Sequence, residues 1–223
     1  MEQQPRQKHR INIPKYTLGE ELISAISHGV GALLGITAMV LCIVKSVGPQ
    51  GDGYKLASSI VFGLTVTLLY LMSCLYHSLK VNKAKRVFRV IDHCTIFLLI
   101  AGTYTPYTLV SLRDSIGWWI FGIIWGVAIV GISLNAVSLK RFAKLSVACY
   151  LLMGWMIVLA YQRMTVALEH AGLSLLVWGG VAYTVGAVLY GIGARKKYFH
   201  SVFHFFCLAG TVLHFFSIYC YVL

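Results

Sequence analysis

Residues 198–223 read YFHSVFHFFCLAGTVLHFFSIYCYVL, and this closing stretch decides the class of fold. It contains no Asp, Glu, Lys or Arg. A helix that rises 1.5 Å per residue crosses the hydrocarbon core of a bilayer in about 20 apolar residues. The stretch therefore predicts a transmembrane helix.

Six further apolar stretches repeat this pattern along the 223 residues, 58% of which are hydrophobic. The connections between them are short and leave no room for a soluble domain. The predicted fold is all-α, a polytopic membrane protein with seven transmembrane helices. A cytoplasmic basic arm over residues 1–21 precedes a single transmembrane domain over residues 22–223. The predicted spans lie at roughly 22–44, 56–79, 90–112, 115–139, 145–162, 170–194 and 198–223.

The net charge of +12 is distributed unevenly between the two sides of the predicted bundle. Of the 19 Lys and Arg residues, 15 fall in the N-terminal arm and the second, fourth and sixth loops, and four fall on the other side. The positive-inside rule then places the N-terminus in the cytoplasm and the C-terminus outside. The basic loops are best interpreted as topology determinants that touch anionic headgroups, and nucleic-acid binding is not expected.

Polar residues on three predicted spans share one depth near the cytoplasmic surface. His77, Asp92 and His200 each lie three residues from a basic residue of a cytoplasmic loop, which puts them about 5 Å into the span. Ser73 and His204 lie four residues deeper on the same helical faces as His77 and His200. Ionisable residues inside spans are costly and usually functional. We therefore expect these five residues to meet.

Three imidazoles beside a carboxylate suit a catalytic zinc ion, which takes three protein ligands and leaves the fourth position to water. His77, His200 and His204 would be the ligands. Asp92 would accept a hydrogen bond from the water or act as general base, and Ser73 could donate to an oxyanion. The alternative is a set of interhelical hydrogen bonds that stabilise the bundle, and the spacing alone leaves both interpretations open.

The remaining polar residues of the spans are predicted to be mainly structural. His214 lies too far along its helix to reach the same metal, and His93 points about 100° away from Asp92. His28 is expected to pack against a neighbouring helix, although it could line a cytoplasmic cavity. Glu20 and Glu21 suit the positive end of the first helix dipole, and either could also face that cavity.

Two other features are architectural. The segment Gly102-Thr103-Tyr104-Thr105-Pro106 is predicted to kink the third span, because proline removes a backbone donor. Trp118 and Trp119 are interpreted as anchors at the membrane interface. The six cysteines all fall in apolar stretches without a Cys-x-x-Cys pair, and they are interpreted as small buried hydrophobes.

The order of these motifs resembles the haemolysin III family, which belongs with the progestin and adipoQ receptors and the alkaline ceramidases in one superfamily of seven-helix membrane proteins. The resemblance covers residues 17–223. It implies a zinc site made by His77, His200 and His204, with Asp92 and Ser73 close to its water, in a bacterial cytoplasmic membrane. The motifs that carry it are Gly19-Glu20-Glu21, Ser27-His28-Gly29, Ser73-x-x-x-His77, Asp92, Gly102-Thr103-Tyr104-Thr105-Pro106, His200-x-x-x-His204 and His214-Phe215.

Three functions are compatible with these motifs. The first is a zinc hydrolase that cleaves an amide or ester of a lipid from the inner leaflet. The second is a non-hydrolytic sensor or regulator of membrane lipid state, in which zinc only braces helices. A cytolysin or pore fits worst, because the spans carry no polar stripe beyond the inner cluster. Membrane lipids are the expected partners, and self-association into a homo-oligomer is left open.

Overall fold

The computed structural model describes residues 13–223, which form helices and no strands. The all-α prediction is therefore confirmed for this part of the chain, and residues 1–12 of the predicted arm lie outside it. The helices are α1 (Leu18–Ser46), α2 (Gly53–Ser78), α3 (Lys83–Pro106), α4 (Gly117–Trp155), α5 (Tyr161–Ala167), α6 (His170–Gly193) and α7 (Phe199–Tyr221). A π-helical turn at Tyr107–Ser111 follows α3, and a 3₁₀ turn at Met156–Ala160 joins α4 to α5.

The first helix begins four residues earlier than the predicted boundary between arm and domain. Thr17 caps α1: its hydroxyl accepts from the backbone N–H of Glu20, and the Glu20 carboxylate accepts from the backbone N–H of Thr17. This capping box provides acceptors for backbone N–H groups at the helix start, which have no carbonyl partner within the helix. The helix therefore starts at Leu18, within the stretch that the sequence assigned to the arm.

Six helices of residues 13–223 are long and apolar enough to cross a membrane. Five of them match five of the predicted spans. The sixth covers Gly117–Ala167 and contains both of the remaining predicted spans, because α4 continues through the basic segment that was expected to be a loop.

The α4 element reverses direction at Ser138, where the backbone leaves helical geometry (φ −161°, ψ 92°). The Ser146 hydroxyl donates to the Asn135 side-chain oxygen at 2.7 Å, and the Asn135 amide reaches the Tyr150 hydroxyl at 3.4 Å. Residues 11 apart in a straight helix would be separated by about 16 Å. These contacts require two antiparallel helical halves on either side of Ser138.

The third span is α-helical up to Pro106, and a π-helical turn follows it. The π-helical turn begins at Tyr107, and the Thr105 and Thr108 hydroxyls donate back to main-chain carbonyls of the preceding turn. The irregular backbone thus begins directly after residues 102–106, and the kink itself stays a prediction. At Gly102, α3 packs closely on α2, since a Cβ there would lie 1.9 Å from the Thr65 hydroxyl oxygen.

Gly102→Ala should lower the free energy of unfolding by about 1–3 kcal/mol, because overpacking separates α2 from α3. Thermal unfolding of the purified protein in detergent measures the effect. Gly122→Ala is the matched control, since nothing lies within 4 Å of the added Cβ and a helical alanine is favoured over glycine. Equal melting temperatures for the two variants would contradict the close approach of α2 and α3.

The two ends of the bundle are fixed by polar contacts between distant parts of the chain. At one end, the Lys55 ammonium donates to the carbonyl of Leu223 at 2.7 Å, and Lys45 donates to the carbonyl of Tyr219. At the other end, the Glu20 carboxylate accepts from the backbone N–H of Tyr198 at 2.7 Å. Glu21 at the start of α1 also contacts His77 at the end of α2 and Lys85 at the start of α3. The end of α2 and the starts of α3 and α7 therefore lie together, as the depth argument predicted, and the start of α1 joins them.

Candidate metal centre

Three histidines from two helices converge at this end of the bundle. The His200 Nε2 atom lies 3.4 Å from His77 Nε2 and 3.1 Å from His204 Nε2. One ligand atom from each of the three residues lies within 4.8 Å of the others, and all three side chains are buried. The sequence prediction that these residues meet is thus matched by their positions.

Helical periodicity brings these rings together. His200 and His204 are four residues apart in the first turns of α7, so their side chains lie one above the other on one face. His77 is in the last turn of α2 and faces them across the bundle. Because α1 packs against both α2 and α7, the two ligand-bearing helices are held on either side of it.

The arrangement fits a metal ion better than it fits hydrogen bonds among the histidines. A neutral imidazole carries one proton, so His200 Nε2 can satisfy at most one of its two close nitrogen neighbours as a donor. Zinc–nitrogen bonds of about 2.0–2.1 Å in a tetrahedron separate ligand nitrogens by roughly 3.3 Å. The two Nε2 distances, 3.4 and 3.1 Å, are close to that value. The cluster can therefore hold a metal ion.

A partly buried carboxylate on α1 contacts His77. The Glu21 Oε2 atom lies 2.7 Å from His77 Nδ1, on the side of the ring that faces away from the other histidines. The second oxygen of Glu21 accepts from the Lys85 ammonium at 2.5 Å. Lys85 was expected among the loop cations that touch headgroups, but its side chain is 2% exposed and paired with Glu21. The net charge of a loop cannot reveal which of its lysines turns inward.

Asp92 and Ser73 lie beside the histidines, on α3 and α2. Both line the cavity that also contains His200 and His204. The Ser73 hydroxyl and the Asp92 carboxylate lie next to each other, and the carboxylate is also near His77. The five residues that the sequence placed at one depth are thus near one another.

Tyr16 covers the site from outside the spans, a contact that the sequence analysis missed. Its ring stacks on His200, with centroids 4.7 Å apart and planes 14° apart. Burial raises the pKa of the Tyr16 phenol well above its ordinary value, so the ring packs as a neutral group. In the sequence, Tyr16 is recognisable only as the residue before the α1 cap. That position does not show whether the side chain covers the site or faces solvent.

The other histidines occupy three different environments. His214 is structural, as predicted: its Nε2 lies 3.0 Å from the carbonyl oxygen of Leu176. His28 packs with its ring centroid 3.8 Å from that of His204, and neither of its ring nitrogens has a hydrogen-bond partner among residues 13–223. All three of these histidines line the cavity, a role that the sequence analysis left open for His28 and did not foresee for His93 or His214.

A cavity of about 200 Å³ extends from the histidines into the membrane-spanning part of the bundle. His200, His204, Asp92 and Ser73 line one part of it. The rest of its wall is mostly apolar and is formed by α3, the second half of α4, α5, α6 and α7, with Leu173 and Leu176 toward the far end. Four apolar or aromatic residues of the wall also face the outside of the bundle: Leu151, Val158, Tyr161 and Val177.

The fold and the site together define a class of protein: a multi-pass helical membrane protein with a buried cluster of three histidines that can hold a metal ion. The profile of the family described as "Haemolysin-III related" matches residues 16–215. The chain belongs to this family, and the resemblance suggested by its motifs is confirmed.

Two curated relatives are similar over nearly their whole length. "Hemolysin-3" of Bacillus cereus is 40% identical over 204 residues, which cover 92% of this chain and 92% of the relative. "Hemolysin-3 homolog" of Bacillus subtilis (strain 168) is 39% identical over 203 residues, which cover 91% of this chain and 94% of the relative.

Proposed function

We propose that the protein is a zinc-dependent hydrolase that cleaves an amide or ester bond of a membrane lipid near the cytoplasmic surface. The observation that carries this proposal is the position of the three-histidine cluster. It lies beside Asp92, and His200, His204 and Asp92 line a cavity whose wall is mostly apolar. Such a cavity accommodates the acyl chain of a lipid and leaves the carbonyl close to the charged groups.

The proposed metal is zinc, bound by His77, His200 and His204 as neutral imidazoles. A buried set of nitrogen ligands without thiolates suits Zn²⁺ in particular, although other divalent transition metals also bind imidazole. When bound with one open position, zinc polarises a substrate carbonyl and makes water a nucleophile near neutral pH. The chain's own residues then hold the substrate and move the proton.

Asp92 is the proposed general base. Its carboxylate faces the cavity next to the ligands and takes the proton of the attacking water, then returns it to the leaving nitrogen or oxygen. Ser73 was expected to donate to an oxyanion. Because the Ser73 hydroxyl lies next to the Asp92 carboxylate and has a single proton to donate, we propose that Ser73 instead holds the carboxylate in place.

The substrate is proposed to arrive from within the bilayer. α6 packs mainly on α7 and has few contacts with α4 and α5. The residues that both line the cavity and face outward, Val158 and Val177 among them, lie on the two sides of that weak contact. A lipid tail can pass between them without crossing water, which favours a membrane lipid over a soluble substrate.

A second candidate is a non-hydrolytic sensor of membrane lipid state, favoured by one observation. The ligands join the end of α2 to the start of α7, so a bound ion would brace two helices whether or not any bond is cleaved. In that function the cavity would bind lipid and the metal would serve stability alone.

Lipid mass balance distinguishes the two functions. Purified, zinc-loaded protein in vesicles of bacterial lipid should consume one lipid class and release equimolar fatty acid, whereas His204→Ala should release none. If the zinc-loaded wild type consumes no lipid amide or ester in vesicles of any composition, the hydrolase is refuted and the sensor is favoured.

We further propose seven crossings of the bacterial cytoplasmic membrane, with the N-terminus inside and the C-terminus outside. The reversal at Ser138 supports a loop between two crossings in α4, and its three cations, Lys140, Arg141 and Lys144, favour the cytoplasmic side. Reporter fusions within residues 47–55 and after Leu223 should therefore be external, and fusions within residues 81–85 should be cytoplasmic. A cytoplasmic C-terminus would overturn this topology.

A further inference from the structure

The first helix supplies no ligand to the histidine cluster, yet the side chain of its Glu21 hydrogen-bonds one of the ligands, His77. Glu21 Oε2 lies 2.7 Å from His77 Nδ1, while His77 Nε2 faces His200. Only one nitrogen of a neutral imidazole carries a proton. With a carboxylate at Nδ1, the proton lies on Nδ1 and is donated to Glu21, and the Nε2 lone pair is directed at the cluster.

Glu21 is itself held from the opposite side. The Lys85 ammonium donates to Glu21 Oε1 at 2.5 Å and to the carbonyl oxygen of Leu79 at 2.9 Å, and it lies 5.1 Å from the centroid of the Tyr76 ring. These contacts enclose an ammonium group that is almost fully buried. Both oxygens of Glu21 are thereby fixed, one by a cation and one by the metal-facing histidine.

We infer that Glu21 is the positioning residue of the His77 ligand, and that Lys85 fixes Glu21 in its orientation. The inference deepens the proposed zinc site and rests on it. Carboxylates that accept the second N–H of a ligating histidine fix its tautomer and ring orientation, and their loss typically weakens metal binding by about 10–100-fold. Glu21 thus acts through His77 and is not itself a ligand.

The neighbouring carboxylate provides a matched control. Glu20 is more buried than Glu21 but faces other partners, namely the α1 cap at Thr17 and the backbone N–H of Tyr198 at the start of α7. It makes no hydrogen bond to His77, His200 or His204. A purely structural role for acidic residues at this helix start would therefore affect Glu20 variants at least as strongly.

The test is the zinc Kd of the purified full-length protein, measured by competition with a chelator. Glu21→Gln should weaken zinc binding by about 10–100-fold. Glu20→Gln should lower the melting temperature but keep the wild-type Kd. The double variant Glu21→Gln/Lys85→Met should bind zinc as weakly as Glu21→Gln, which separates loss of the histidine contact from the effect of an unpaired buried ammonium.

A double-mutant cycle of zinc affinities distinguishes positioning of His77 from a general structural role of Glu21. In a His77→Ala background, adding Glu21→Gln should cause no further loss of zinc affinity, because the only ligand that it orients is gone. A wild-type Kd for Glu21→Gln, or the same loss in both backgrounds, overturns the inference while leaving the zinc site intact. Absence of zinc binding by the wild type would instead overturn the proposed site and this inference with it.

Discussion

His200→Ala should weaken zinc binding by more than about 100-fold, beyond the loss that a residue outside the ligand set causes. His200 Nε2 lies within 3.4 Å of both other ligand nitrogens, so its removal leaves two ligands on two different helices. Metal analysis of the purified variant should show clear loss from the one ion per chain expected in the wild type. At a free zinc concentration of about 100 times the wild-type Kd, zinc should stabilise the folded wild type by about 2.7 kcal/mol. The variant should lose most of this stabilisation.

His214→Ala is the matched control on the same helix. His214 is also buried, but its ring contacts the carbonyl of Leu176 and lies well beyond the cluster along α7. It should keep its zinc while losing some thermal stability. Equal metal content in wild type and His200→Ala would refute the ligand assignment, and loss of zinc from both variants would show that disturbance of α7 is sufficient.

Asp92→Asn should keep the zinc and lose about 10²–10⁴-fold in turnover. Asparagine preserves the size of the side chain and can still bond to Ser73, but it cannot take a proton from water. The measurement is fatty acid release by variant and wild type at equal zinc occupancy in the same vesicles. Retained zinc distinguishes a lost base from a collapsed site.

Ser73→Ala tests the supporting contact and should be milder than Asp92→Asn, because the carboxylate remains and only loses one partner. If Ser73→Ala greatly lowered turnover while Asp92→Asn left it nearly unchanged, the proposed roles of the two residues would be reversed. Wild-type turnover in Asp92→Asn would exclude Asp92 as the base. In the sensor function, Asp92→Asn leaves the lipid inventory unchanged while still altering membrane fluidity phenotypes.

Helical spacing and the uneven distribution of basic residues were enough to predict which side chains form the candidate site. The four-residue spacing of His200 and His204 fixes a shared helical face, whatever the helix packs against. Distances from basic loops gave His77, Asp92 and His200 a common depth, because each residue of a membrane helix adds about 1.5 Å. The starts of α3 and α7 and the end of α2 do lie at one end of the bundle, as that argument required.

The same reasoning failed where backbone detail or side-chain direction mattered. Apolar length marked two spans around Ser138 but could not show that α4 is helical up to the reversal and resumes beyond it. A proline marks irregular backbone, yet the π-helical turn begins after Pro106, where hydroxyls of neighbouring threonines can satisfy the freed carbonyls.

Apolar length, helical period and loop charge are local properties of a chain in a bilayer, and they were enough to predict a helical membrane protein with histidines at one depth. Which of the two neighbouring carboxylates contacts a ligand depends instead on the tertiary structure. Glu21 contacts His77 across 56 positions and Lys85 across 64, whereas the adjacent Glu20 turns to the start of α7. That choice depends on how α1 is rotated between α2 and α7, and the rotation is set by packing among helices that no local pattern specifies.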